Sequence, residues 1–138
     1  YRDVVAIGAD RDYGTNRGAV YLYQRSGTSW SVSQRITPSD AADNDYFGQA
    51  VALWGEYVFI GAPGKLGGAE SGEGGCYLYV RTALNTWENE LMIDATDGVS
   101  GDKLGECVAM SRGLMLAGAP MKDAGATDSG KAYLFFRP

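Results

Sequence analysis

Gly18-Ala19-Val20-Tyr21-Leu22-Tyr23, Gly74-Gly75-Cys76-Tyr77-Leu78-Tyr79 and Gly130-Lys131-Ala132-Tyr133-Leu134-Phe135 are three writings of one phrase, and successive copies start 56 residues apart. Other landmarks keep nearly the same interval: Trp30 and Trp87, Phe47-Gly48 and Leu104-Gly105, Gly61-Ala62-Pro63 and Gly118-Ala119-Pro120 each lie 57 apart. A period of this length marks a structural repeat. It is too long for a leucine-rich or ankyrin unit and too rich in Gly, Tyr and Val for a helical pair. It suits a blade of four short antiparallel strands.

The middle copy shows the unit in full. Strand one is expected over 47–53, strand two over 57–62, strand three over 76–81 and strand four over 87–93. Trp54-Gly55-Glu56 and Ser111-Arg112-Gly113 place Gly inside a very short connection, as a right-twisted hairpin requires. Val58-Phe59-Ile60 and Leu114-Met115-Leu116 are continuous apolar runs, which suit strands covered on both faces. Gly-Ala-Pro at the end of strand two would let neighbouring sheets approach closely. Trp30 and Trp87 are read as packing plates at the opening of strand four.

The frame divides the chain into 1–46, a repeat lacking its first strand; 47–103, a complete repeat; and 104–138, a repeat lacking its last. Ten strands result, split three, four and three. The fold expected is therefore all-β: antiparallel four-stranded propeller blades, about 2.5 of them, forming a partial propeller. Such a chain would be a segment of a longer propeller, an oligomer sharing blades, or an open stack capped by something else. The segment reading is preferred, because open ends expose sheet edges and apolar faces.

Composition agrees with strands and limits the partners. Twenty glycines, nine tyrosines and only four prolines in 138 residues favour turns and pleated surfaces. A formal charge of −5 and a pI near 4.6 exclude the basic stripe that nucleic acid demands. No apolar run reaches the roughly 18 residues of a membrane helix, so no membrane insertion is expected. No signal segment is visible, and a chain opening on Tyr1 leaves the compartment open.

Phe47-Gly48 with Gly61-Ala62-Pro63 resembles the FG-GAP repeat of integrin-α-type β-propellers. Asp45-Tyr46-Phe47-Gly48-Gln49-Ala50-Val51-Ala52-Leu53 is similar to bacterial and algal versions of it, and Asp102 to Met110 repeats the pattern with Leu104 for Phe. The resemblance covers essentially the whole chain. It implies an extracellular or cell-surface propeller module that binds or adheres to other macromolecules, with no common ligand. Many relatives carry an Asp-x-Asp-x-Asp-Gly calcium loop between strands one and two. Here those hairpins hold a single carboxylate, Glu56, far short of the six to eight oxygens calcium takes.

Acidic residues elsewhere offer another metal reading. Asp40, Asp43 and Asp45 precede Phe47; Asp94, Asp97 and Asp102 precede Leu104; Asp10 and Asp12 with Asn16 follow the first Gly-Ala. Any of these sets could gather oxygens for calcium. Equally, Asp and Asn turn a chain by bonding its backbone, and the matching ends with variable middles favour that structural role. No cofactor is expected.

The strand two to three loops, 11–17, 64–73 and 121–129, differ in length, and such variation falls where partners are met. Asp12, Tyr13, Arg17, Lys65, Glu70, Lys122 and Asp123 are the candidate contacts. Catalysis has little support: the chain has no histidine, which removes the usual triad base and the commonest zinc ligand. Cys76 and Cys107 match small residues in other copies and read as core fillers, with a bridge unsupported. The expected function is a non-catalytic protein-binding or adhesion module, whose partner is a protein or the remaining blades of a longer chain. The alternatives are a structural subunit of a larger assembly and a non-catalytic fragment of a propeller-containing enzyme.

Overall fold

The computed structural model describes residues 3–65 and 72–137. Its strands fall into three antiparallel sheets in chain order. The first holds β1 (Val4–Ala9), β2 (Ala19–Ser26) and β3 (Ser29–Ile36). The middle sheet holds β4 (Ala50–Trp54), β5 (Tyr57–Ala62), β6 (Gly75–Ala83) and β7 (Thr86–Ile93). The third holds β8 (Cys107–Ser111), β9 (Leu114–Ala119) and β10 (Lys131–Phe136). Each is a meander of neighbouring strands, so the expected division into three, four and three strands is the observed one. One element is new: a single 3-10 turn, Asp12–Gly14, in the first long loop.

Alternation along the middle sheet makes it the filling between the other two. Val58, Ile60, Ala62, Tyr77, Tyr79 and Trp87 point towards the first sheet and join Val4, Val20, Leu22 and Ile36 in one core. Phe59, Cys76 and Leu78 point the other way and meet Met115, Ala117 and Ala119 of the third sheet. Val58, Phe59 and Ile60 are therefore all fully buried, although successive side chains face opposite sides. At about 1.5–3 kcal/mol for each large apolar side chain buried, these two seams supply most of the cohesion. Reciprocal bonds reinforce the first seam, since Gln34 Nε2 donates to the Trp87 carbonyl at 2.9 Å and Trp87 N donates back to Gln34 Oε1 at 2.7 Å.

Backbone crowding explains the Gly-Ala ends of β1 and β5. A Cβ on Gly8 would lie 1.8 Å from the Gly48 carbonyl oxygen, and one on Gly61 would lie 1.9 Å from that of Gly105. Each Gly-Ala thus accepts the Phe-Gly or Leu-Gly of the next sheet, contact that no larger residue allows. The partner motif is not the strand opening expected at 47–49. Gly48 takes φ +91 and breaks extended pairing, so β4 begins at Ala50, while Phe47 makes an isolated parallel bridge to Gly18. Freed from the strand, Phe47 turns inward and packs edge-on against Tyr77 and Tyr79, with ring centroids 5.4 and 6.3 Å away.

Two other expectations need correction. Trp87 is a packing plate at 3% exposure, but Trp30 is 46% exposed, because among the described residues no sheet covers that side of the first sheet. Cys76 is a buried filler, whereas Cys107 is exposed on the uncovered face of the third sheet; both are free thiols.

Candidate functional site

Both kinds of long connection emerge at one end of the stack. The strand two to three loops leave β1, β5 and β9, and the intersheet connections run from β3 to β4 and from β7 to β8. Each intersheet connection is laced to the loop of the preceding sheet: Asn44 N donates to Thr15 O at 2.9 Å, Phe47 N to Arg17 O at 3.1 Å, and Lys103 N to Gly72 O at 2.8 Å. The same connections are laced forward, with Gly64 N donating to Asp45 O at 3.1 Å. These bonds satisfy backbone groups of the described loop residues without regular strands.

A charged staple is built into each connection. Lys65 Nζ donates to the Asp40 carbonyl at 2.7 Å and lies 3.0 Å from Asp40 Oδ2 and 3.2 Å from Asp45 Oδ2. Asp45 Oδ2 also accepts the N–H of Ala42, three residues earlier, at 2.8 Å, closing a side-chain-to-backbone loop. Tyr77 Oη donates to Asp40 Oδ1 at 2.7 Å. The third sheet repeats the set: Lys122 Nζ lies 3.0 Å from Asp102 Oδ2 and contacts the Asp97 carbonyl, Val99 N donates to Asp102, and Tyr133 Oη donates to Asp97 at 2.7 Å. Asp45 and Asp102 are 1% and 3% exposed, so the lysine charge is what makes their burial tolerable.

These contacts move the titrations. Burial pushes the Asp40 carboxyl up, but the Tyr77 hydroxyl and the Lys65 ammonium outweigh it and hold the group below its ordinary value. Lys131 and then Tyr133 bring Asp97 down to about 2. Burial and the neighbouring carboxylate push the Tyr77 hydroxyl well up, which keeps it a donor.

The first sheet holds a variant of the staple. Asp12 stands where the lysines stand, receives the Tyr21 hydroxyl at 2.9 Å, and is paired by Arg35 Nη2 at 2.8 Å from β3.

The structure scatters the acidic candidates. Asp40 and Asp45 meet at Lys65, Asp97 and Asp102 meet at Lys122, and Asp12 meets Arg35. Asp43 pairs with Arg17 at 2.6 Å, Asp10 lies 3.9 Å from Arg11, and Asn16 Nδ2 donates to Asn44 Oδ1 at 2.9 Å. Among the described residues, no group of three or more carboxylate, cysteine or histidine side chains is placed to hold a metal.

Of the candidate loop contacts, Arg17 and Asp123 are exposed, Asp12 is half-buried, and Tyr13 lies in the 3-10 turn. Asp123 accepts the Asp128 N–H at 2.7 Å. Lys65 and Lys122, expected as surface contacts, are only 6% and 7% exposed, because each ammonium folds back onto its carboxylate. Glu70 lies outside the described residues.

Between the loops lies an open cleft of about 660 Å³ lined by residues of the first two strand two to three loops and of both intersheet connections. Asp10 and Arg11 come from the first loop, Asp43, Tyr46 and Gln49 from the first connection, and Lys103 and Glu106 from the second. Tyr46 and Lys103 are one repeat apart, as are Gln49 and Glu106; Tyr46 and Gln49 bracket Phe47-Gly48, and Lys103 and Glu106 bracket Leu104-Gly105. The cleft is thus lined by equivalent positions that differ in chemistry. Sequence reading passed over these four residues, although a signal was there: positions of changing chemistry flanking an apolar-Gly pair at a fixed place in the repeat.

No curated protein matches the chain. The FG-GAP repeat profile matches residues 30–79 and 87–135, which together make up more than half of the sequence. Each match runs from the last strand of one sheet into the third strand of the next, so it contains the Phe-Gly or Leu-Gly wedge and the Gly-Ala seat. With those two features placed in the fold, the chain belongs to the FG-GAP repeat family.

Proposed function

We propose that this chain is a non-catalytic protein-binding or adhesion module of an extracellular or cell-surface protein, and that its partner is held at the loop end. The observation that carries this reading is the cleft, where repeat-equivalent positions present Tyr46 against Lys103 and Gln49 against Glu106. A scaffold kept constant by packing, with chemistry varied only at one mouth, is how repeat folds read partners. Strained backbone supports it, since Asn44, Tyr46 and Lys103 hold φ of 66°, 53° and 59°. Non-glycine residues in the left-handed region cost free energy and concentrate at binding sites. The lack of histidine and the absorption of the buried carboxylates into lysine staples support a non-catalytic role. No cofactor enters this reading.

The test compares the wild-type chain with a triple variant, Arg11→Glu, Gln49→Arg and Lys103→Glu, each immobilised and offered a cell-surface extract from its source. With equal circular dichroism for both, at least one protein retained by wild type and reduced tenfold or more on the variant is the expected result. Identical retained sets would contradict a binding role for the cleft.

A further inference from the structure

Asp97-Gly98 is the one Asp-Gly pair in the sequence, and none of the four asparagines precedes a glycine. The chain therefore holds a single bond of the kind most prone to aspartate isomerisation, since glycine has no Cβ to shield its nitrogen. In that reaction the Gly98 nitrogen attacks Asp97 Cγ, the new C–N bond closes a succinimide ring, and one carboxyl oxygen leaves as water. Water then reopens the ring. Attack at Cγ restores aspartate, while attack at the Asp97 backbone carbonyl carbon leaves the main chain running through the side chain, as isoaspartate. The product is an isomer, so no oxidant or other reactant is consumed. Burial does not prevent this, because the Asp97 side chain is 48% exposed. Nor is the glycine free to change, since a Cβ at 98 would lie 2.5 Å from Glu73 Oε1 and 3.0 Å from its Cγ.

We propose that Asp97-Gly98 is a latent isomerisation site, and that Lys131 and Tyr133 of β10 keep it unreacted by occupying both oxygens of the carboxyl group. Lys131 Nζ donates to Asp97 Oδ2 at 2.7 Å and Tyr133 Oη to Oδ1 at 2.7 Å. The other reacting groups are held as well. Lys122 Nζ donates to the Asp97 carbonyl, and the Gly98 N–H donates to the Ala95 carbonyl at 3.0 Å. The protonated acid is the reactive form, because an ionised carboxylate resists attack by a nucleophile. Lys131 first and Tyr133 second draw the Asp97 titration down to about 2, which leaves about sixtyfold less of the acid than an ordinary aspartate has near neutral pH. One repeat back, Tyr77 and Lys65 hold Asp40 in the same way, but Ala41 follows it. Only at Asp97 does the charged cage stand over a reactive pair. Isomerisation there would lengthen the connection between β7 and β8 by one backbone carbon and take from Lys122 and Tyr133 the groups they bind.

Peptide mapping tests this, because an isoaspartyl peptide elutes apart from its aspartyl form at equal mass. The wild-type chain and a double variant, Lys131→Met with Tyr133→Phe, are kept warm at neutral pH for weeks and sampled. Isoaspartate at position 97 should accumulate at least tenfold faster in the variant, in keeping with the restored fraction of protonated acid. A rate within about threefold of wild type would overturn the proposal. So would isoaspartate appearing in the variant at Asp40, or at any other aspartate, ahead of Asp97. Phe keeps the ring that stacks on Phe135, so folding should be spared, and circular dichroism checks it. Should the variant unfold, the wild-type chain decides by itself. In urea, where the cage is gone, Asp97 should isomerise at least tenfold faster than in buffer, and equal rates would contradict protection by Lys131 and Tyr133.

Discussion

Trp87 and Trp30 hold the same place in two copies of one repeat, yet Trp87 is buried between sheets and Trp30 stands half in water over Arg25. Nothing in their own strands accounts for this. Both open the fourth strand of their repeat, and both face the side of a preceding sheet. What differs is the neighbour: the first sheet covers Trp87, and no sheet among the described residues covers Trp30. The lesson is that a repeat of this kind specifies a face, while its neighbour decides whether that face is core. The same contrast separates Val58 from Val5 and Phe59 from Leu116.

Two substitution pairs turn the comparison into free energies. Trp87→Ala should cost about 3–5 kcal/mol, the range for emptying a large aromatic site in a core, whereas Trp30→Ala in the single chain should cost under about 1 kcal/mol. Urea unfolding midpoints give both values. Equal losses would mean that cover by the neighbouring sheet is not what distinguishes them. The smaller effect concerns the seats for the Phe-Gly wedge. Gly61→Ala drives a Cβ into the Gly105 carbonyl and should cost about 3 kcal/mol, at the upper end of overpacking. Gly118→Ala meets only the movable Cys107 Sγ at 2.5 Å and should cost about 1 kcal/mol or less. Reversal of that order would break the account of Gly-Ala as a seat for the next sheet.

The fold was readable because its signals are periodic. The Gly-x-x-Tyr-Leu-aromatic phrase marks β2, β6 and β10, and the Gly-Ala ends mark β1, β5 and β9. Composition starts strand one at Phe47, three residues before β4 begins, since Phe47 suits a strand and only the φ of Gly48 shows the break. The site was less legible. Lys65 and Lys122 read from sequence as loop contacts, because a lysine in a short polar loop is ordinarily solvated. Only the fold brings each beside an aspartate 20 residues earlier. The 57-residue spacing shared by Lys65 and Lys122, Asp45 and Asp102, and Asp40 and Asp97 was a usable hint. The cleft needed three dimensions outright, since it joins loops from different repeats.

Native-state hydrogen exchange on the chain at micromolar concentration tests the central claim most directly. Amides of β5 and β6, which are covered on both sides, should exchange only through global unfolding and be the slowest in the molecule, with β1 and β10 opening at lower free energy. Protection in β1 or β10 equal to or above that of β5 and β6 would contradict the idea that neighbouring sheets turn each repeat's face into core.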